Sequence, residues 1–236
     1  MAPEIDPDAI TADALATLAA CGDPERAVRE KAYLKSALVH YGCGQPALRL
    51  QARALDGTLP ALDGQALLAL ADALHGTGVH EVRALAIALL ERRRRALGEG
   101  DLPGLVDLVR RCPGWAYVDW LAIKVLGAVL SRLSPEREAV HLQTWAVDPD
   151  FWVRRTALLA PLDRLRRGGG DFDLFCALAT PMLTEREFFI RKAVGWVLRE
   201  VSKRSPERVA AYVAQHGARM SGLTRREATK YLPPTL

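Results

Sequence analysis

Long hydrophobic runs are absent from this 236-residue sequence, and so is the pattern of a secretion signal. No apolar run approaches the roughly 18 residues that a membrane-spanning helix needs. The chain begins MAPEIDPDAITADAL, which is acidic and has no basic segment followed by an apolar stretch. We therefore expect a cytoplasmic protein without a membrane partner. Its length is enough to bury a sizeable core.

Cysteine and histidine patterns that mark disulfides or metal sites are also missing. Four cysteines lie far apart and form no CxxC pair: Cys21, Cys43, Cys112 and Cys176. We interpret them as reduced thiols in the core. Five histidines form no HExxH motif and no cluster along the chain: His40, His75, His80, His141 and His216. No metal site is expected from these patterns.

β-Strand signals are nearly absent, because the sequence has no sustained polar–apolar alternation and no paired β-branched runs joined by Asn-Gly turns. Apolar residues instead recur at three- and four-residue spacing, for example in VHEVRALAIALLERRRRALG, DWLAIKVLGAVLSRL and FFIRKAVGWVLREVSKR. Glycine and proline separate these segments, as at Pro113–Gly114 and Gly168–Gly170. The predicted fold class is all-α.

A short motif, an aliphatic residue usually followed by arginine, recurs along the chain. It lies where the second helix of each repeat should begin. It begins at Leu48, Val82, Val118, Val153 and Ile190, at intervals of 34, 36, 35 and 37 residues. Each interval has room for two antiparallel helices and a turn, which is typical of HEAT-like repeats. We expect a superhelical solenoid of about six HEAT-like helix pairs, a single domain over residues 1–236 with a concave basic groove.

Positive charge is concentrated in the C-terminal part of the chain. Residues 1–150 carry 16 Lys+Arg and 20 Asp+Glu, whereas residues 151–236 carry 16 and 8. Arginine outnumbers lysine 26 to 6, and the guanidinium fork suits bidentate phosphate contacts. An arginine-rich proteome would produce the same bias, so that interpretation stays open. A phosphate-bearing polymer is the leading partner class.

One carboxylate interrupts the arginines at the second position of the motif. That position holds Arg49, Arg83, Asp119, Arg154 and Arg191. One interpretation is a charge ladder in which Asp119 pairs with Arg83 or Arg154. The other is a functional carboxylate.

The flanking stretch CPGWAYVDWLA favours the functional interpretation. Pro113–Gly114 should end the preceding element, so a helix should begin between Trp115 and Val118. Trp115 and Asp119 would then share one face near a helix N-terminus, where the macrodipole favours an anion. Such a carboxylate is suited to stabilise a cation that forms during a reaction.

Aromatic and cationic residues alternate at two later repeats, in DPDFWVRRTALL and EREFFIRKAVGWVLRE. Taken singly, Phe151, Phe188 and Phe189 are expected in the core. Trp196 follows Lys192 by one helical turn and should share its face. The recurrence of rings and cations suits a surface that contacts sugars and phosphates.

At these residues the sequence resembles the AlkD-type DNA alkylation-repair glycosylases, whose fold is a solenoid of HEAT-like repeats. The resemblance covers most of the chain and rests on AYLKSALVHYG, W-x-x-x-D within GWAYVDWLA, DFWVRRTALL, EFFIRKAVGWVLRE and LTRREATKYL. It implies excision of cationic N3- and N7-alkylated purines from double-stranded DNA, without a metal or cofactor and without base flipping. A nucleoid-associated location in a bacterial cytoplasm accompanies that activity.

The resemblance also implies residue roles. The family's catalytic carboxylate falls on Asp119, its sugar-contacting tryptophans on Trp115 and Trp196, and its phosphate-binding arginine on Arg155. The residues expected to contact DNA are Tyr33, Lys35, Arg154, Arg191, Lys192 and Arg199. Two positions depart from the pattern of some relatives, Ala116 where an acidic residue is common and Gly44 where a glutamine occurs. Both departures bear on substrate range.

Cleavage of this glycosidic bond needs only one carboxylate. Alkylation makes the purine a cationic leaving group, so the glycosidic bond needs no general acid and no second carboxylate. Positive charge then develops on the deoxyribose, where a fixed anion and aromatic faces stabilise it, and Asp119 could also orient the attacking water. Two other functions stay open: a catalytically inactive binder of structured or damaged DNA, and a protein-binding HEAT scaffold. A monomer is expected.

Overall fold

The computed structural model describes residues 5–233, and the regular structure in that range is helical apart from an isolated β-bridge between Val39 and Val79. The all-α prediction is confirmed. The chain divides into two compact units, one up to Leu121 and one from Ala122. The single domain over residues 1–236 stays a prediction, and residues 1–4 and 234–236 lie outside the described range.

Unit 1 is built from helices packed around α5. Its helices are α1 Pro7–Ala20, α2 Pro24–Leu34, α3 Gln45–Thr58, α4 Gly64–His75, α5 His80–Arg92, α6 Leu102–Arg110 and α7 Trp115–Trp120. Aspartates start three of them, because the side chains of Asp6, Asp23 and Asp63 accept hydrogen bonds from the first free backbone N–H groups. Ten residues of α5 are buried, and α1, α3 and α4 pack around it.

Unit 2 begins within a π-helical stretch, Leu121–Leu126, that follows α7 directly in the chain. Its helices are α8 Gly127–Leu130, α9 Pro135–Ala146, α10 Phe151–Leu159, α11 Leu162–Leu165, α12 Phe172–Met182, α13 Phe188–Ser202, α14 Pro206–His216 and α15 Gly222–Ala228. The core of this unit joins Leu158, Phe175, Ile190 and Val194, which come from α10, α12 and α13. None of the described helices is long and apolar enough to cross a membrane.

The predicted repeat matches the observed helices. Each motif residue lies two or three positions inside a helix, namely α3, α5, α7, α10 or α13. The preceding helix packs against it in the pairs α4 with α5, α9 with α10 and α12 with α13. These are the helix pairs that a HEAT-like repeat requires, so the sequence period correctly located the repeating unit.

Two expectations about burial are wrong. Cys21 is exposed because it caps the end of α1 instead of pointing into the core, and Cys176 is half-buried. Phe188 is 56% exposed because it is the first residue of α13. The ring of the next residue, Phe189, packs against its neighbours. Phe151 and Phe189 are half-buried, so the core interpretation holds only in part for them.

Gly127 allows two backbone segments of unit 2 to touch. A β-carbon at this position would lie 2.2 Å from the carbonyl oxygen of Ala160. We expect Gly127→Ala to lower the free energy of unfolding by about 1–3 kcal/mol, measured by urea denaturation, since the backbone must shift to make room. Gly222→Ala is the control, because nothing lies within 4 Å of its β-carbon position. Equal urea midpoints for the two variants would contradict this account.

His75 makes the stability of unit 1 depend on pH. Burial, followed by the positive charges of Arg83 and Arg111, lowers the pKa of His75 from 6.5 to about 4. The unfolded chain therefore takes up a proton near pH 6.5 that the folded chain resists until about pH 4. Stability is fully present above pH 6.5 and is lost as the pH falls through this window, by up to about 3 kcal/mol.

The pH dependence of His75→Gln checks this expectation. Urea unfolding at pH 7.5 and pH 4 should show a smaller loss of free energy for His75→Gln than for the wild type. His141→Gln serves as the control and should keep the wild-type loss. The same loss in all three proteins would show that His75 does not carry the effect.

Candidate functional site

Helix α7 places Trp115 and Asp119 one turn apart. Pro113–Gly114 ends the preceding segment, and the helix begins at Trp115, inside the predicted window. Both side chains are half-buried and lie four residues apart, so they project from nearly the same face. Asp119 is the fifth helical residue, and the dipole effect fades within the first turn, so the helix N-terminus stabilises this carboxylate less than expected.

Two contacts with α5 fix the rotation of α7. The buried hydroxyl of Tyr117 hydrogen-bonds His80 Nδ1, and burial raises the pKa of Tyr117 well above its usual range. The indole Nε1 of Trp120 donates to Glu91 Oε2 at 2.6 Å. Because Tyr117 and Trp120 are turned towards α5, the face that carries Trp115 and Asp119 is set by the packing of unit 1.

Tyr33 completes an aromatic pair with Trp115. It lies near the end of α2, is 73% exposed, and meets the indole edge-to-face with ring centroids 6.1 Å apart. Lys35 follows at the C-cap of α2, exposed and in the left-handed region at φ 50°. The structure thus brings three residues with predicted roles to one part of unit 1, with Asp119 one turn from the pair.

The arginines that a charge ladder would use are engaged elsewhere. Arg83 Nη1 donates to the backbone oxygen of Arg111 at 3.2 Å in unit 1. Arg154 forms a two-point ion pair with Glu185 in unit 2, at 3.0 and 3.1 Å. Each guanidinium is thus held by a neighbour within its own unit.

Arg155 is packed inside unit 2. It is 3% exposed, its guanidinium carbon lies 5.9 Å from the ring centroid of Phe189, and its Nη1 donates to the backbone oxygen of Phe189. The rings of Phe151 and Trp152 pack against this same phenylalanine. The assigned phosphate contact of Arg155 stays a prediction.

The other cations of unit 2 that have predicted roles are paired with carboxylates or backbone oxygens. Lys192 and Arg199 both bind Glu227, and Arg191 Nε donates to the backbone oxygen of Glu185 at 2.7 Å. Burial raises the pKa of Glu227, but the hydrogen bond from Lys192 and the charge of Arg199 outweigh it and hold that pKa below its usual range. Trp196 lies on the same helix, half-buried against the core. These assignments also stay predictions.

Sequence reasoning missed a polar cluster in unit 1. Buried Glu81 accepts hydrogen bonds from the backbone N–H groups of Tyr41, Gly42 and Cys43, the shortest at 2.5 Å. Next to it, the rings of His40 and His80 stack with centroids 4.3 Å apart. The partners lie about forty residues apart in the sequence, so spacing rules do not join them. A carboxylate in the first turn of a mostly buried helix is the one local signal for this cluster.

Comparisons with known proteins agree with this architecture. The family model described as "DNA alkylation repair enzyme" matches residues 14–232. A predicted DNA alkylation repair enzyme from Enterococcus faecalis is 27% identical, with a TM-score of 0.73 over 91% of this chain and 98% of its own. AlkD2 from Streptococcus mutans is 18% identical, with a TM-score of 0.62 over 80% of this chain and 90% of its own, which shows a shared fold.

No curated protein matches the sequence. The family match extends over most of both units and contains every residue with a predicted role, from Tyr33 to Arg199. The chain belongs to the DNA alkylation repair enzyme family.

Proposed function

We propose that this protein is a DNA glycosylase that hydrolyses the N-glycosidic bond of cationic N3- and N7-alkylated purines in duplex DNA. The observation that carries the proposal is the pair Trp115 and Asp119, which α7 presents one turn apart beside the exposed ring of Tyr33. A half-buried carboxylate next to aromatic faces suits a positively charged sugar, because partial desolvation strengthens the attraction between opposite charges.

The proposed mechanism uses one carboxylate. The alkylated purine departs with its bonding electron pair and becomes neutral, so no proton donor is needed. Positive charge develops on C1′ and O4′ of the deoxyribose, where Asp119 and the indole of Trp115 stabilise it. Asp119 then orients a water molecule whose oxygen bonds to C1′ and whose proton is lost to solvent, leaving an abasic site.

We assign contacts with the DNA backbone to residues of unit 2. Trp196 is proposed to contact a sugar, and Arg155 a phosphate. Lys192 and Arg199 would have to exchange Glu227 for a phosphate oxygen, so their net contribution to affinity is smaller than that of unpaired cations. The proposal includes neither metal nor cofactor, and the protein would act as a monomer.

Base release from defined duplexes tests the function. The wild type should release 7-methylguanine from a methylated duplex and leave a neutral hypoxanthine in place, because only the cationic base departs without a proton donor. Binding to methylated duplex without any release would favour the inactive DNA binder. Duplex affinity that does not fall with added salt would favour the protein-binding scaffold, since phosphate contacts release counterions.

A further inference from the structure

A pair of histidines in unit 1 is brought together by the backbone. Val39 N donates to Gly78 O at 3.1 Å and His80 N donates to Val39 O at 2.9 Å, which forms the parallel bridge between Val39 and Val79. His40 and His80 each follow a bridge residue, so their rings stack face to face with an interplanar angle of 9°. Glu81 holds the chain just after His40.

Glu30 of α2 faces both rings. Its Oε2 lies 3.6 Å from His40 Nδ1 and 3.7 Å from His80 Nε2, and all three atoms lie within 4.8 Å of one another. These separations are too long for direct hydrogen bonds. They are close to the roughly 3.4 Å that separates two ligand atoms on a tetrahedral ion with bonds of about 2.0–2.2 Å.

Several polar atoms of this cluster are buried and unsatisfied. The His40 side chain is 1% exposed, and among the described residues neither of its ring nitrogens has a hydrogen-bond partner. Glu30 Oε2 is also buried and has no hydrogen-bond partner among the described residues, while Glu30 Oε1 lies 4.0 Å from Arg26 Nη2. A buried polar atom without a partner costs free energy, so three in one cluster call for a ligand.

The surroundings of His80 are those of a metal-binding imidazole. Its Nδ1 is hydrogen-bonded to the Tyr117 hydroxyl, which leaves Nε2 directed to Glu30. Metal-ligating histidines commonly use the second ring nitrogen in this way, because the outer hydrogen bond fixes the tautomer and the orientation of the ring. Tyr117 lies between Trp115 and Asp119 on α7, so this bond also anchors the helix that presents them.

We propose that Glu30, His40 and His80 bind one divalent transition-metal ion, with zinc as the ion to test. Two imidazoles and a carboxylate form a donor set that zinc accepts, with water in the fourth position. The ion satisfies Glu30 Oε2 and one ring nitrogen of His40, and it ties α2 and residues 39–43 to α5. Because the stacked rings hold their lone pairs in parallel planes, binding includes a turn of the His40 ring, whose nitrogens have no hydrogen-bond partner among the described residues. It has no part in the glycosylase chemistry, so failure of one proposal leaves the other standing.

Zinc titration of the full chain tests this site. The protein carries Cys21→Ser to remove the exposed thiol, is dialysed against a chelator, and is titrated with Zn²⁺ in a calorimeter. We expect one ion per chain and a higher thermal midpoint when zinc is present. His40→Gln and His80→Gln should each weaken binding by at least about 100-fold, and Tyr117→Phe by about 10- to 100-fold. His141→Gln should bind as the parent does.

Either of two results would overturn the site: no saturable zinc binding by the parent protein, or equal affinity in His40→Gln. If the histidine variants fail to fold, the visible spectrum of Co²⁺ bound to the parent decides. Tetrahedral absorption bands that zinc displaces at one equivalent support the proposal, and a spectrum of hydrated Co²⁺ refutes it.

Discussion

Glu81→Ala is expected to lower the free energy of unfolding by about 3–5 kcal/mol. The carboxylate is 1% exposed and accepts from the backbone N–H groups of Tyr41, Gly42 and Cys43. Gly42 has a φ of 85°, a conformation that needs glycine, and a β-carbon there would lie 2.0 Å from the backbone oxygen of Asp23. Alanine at position 81 would leave three donors without an acceptor in a segment that cannot relax, so the loss is large.

Urea denaturation of three variants isolates this effect. Glu81→Gln keeps one acceptor oxygen and should fall between the wild type and Glu81→Ala. Glu25→Ala removes an exposed carboxylate whose only described ion pair, with Arg29, is 3.9 Å long, and should leave stability unchanged within error. A loss below about 1 kcal/mol for Glu81→Ala would mean that solvent replaces the carboxylate.

Helix positions follow from local patterns in this chain. The aliphatic–arginine motif is spaced by the length of one helix pair, so it marks where α3, α5, α7, α10 and α13 begin. Pro113–Gly114 stops one element and lets the next start at Trp115, because proline and glycine disfavour continued helix. The one-turn spacing of Trp115 and Asp119 needs no tertiary information, and the sequence therefore predicts it.

Side-chain partners do not follow from such patterns. The resemblance assigns a phosphate contact to Arg155, but no sequence pattern predicts that its guanidinium also lies against Phe189, thirty-four residues later. Lys192 and Arg199 share Glu227, which belongs to another helix. His40 and His80 meet because of a two-residue bridge that carries no strand signal. Contacts between distant segments depend on packing, which a single sequence does not encode at fixed spacing.

Asp119→Asn is expected to slow release of 7-methylguanine by about 10²- to 10³-fold, equivalent to about 2.7–4 kcal/mol of transition-state stabilisation. Asparagine keeps the size of the side chain and removes its charge. The lost attraction acts on the positively charged sugar and is weaker for the ground state, where the charge lies on the base. Affinity for the damaged duplex should therefore change far less than the rate.

Asp107→Asn provides the matched control. Asp107 is an exposed aspartate of α6 in the same unit, and its side chain pairs with Arg110 at 3.1 Å. Removing its charge should change the rate less than twofold, because an exposed ion pair of this kind contributes little. The two variants carry the same net charge, so a general weakening of DNA binding cannot imitate a specific effect of Asp119.

The single-turnover rate constant for 7-methylguanine release, measured with enzyme in excess over a methylated duplex, tests the role of Asp119 most directly. Under these conditions product release does not limit the observed rate. The rate constant of Asp119→Asn should fall by at least about two orders of magnitude, while those of Asp107→Asn and the wild type should agree. Equal rate constants for Asp119→Asn and the wild type would contradict the assignment of Asp119 as the group that stabilises the sugar cation.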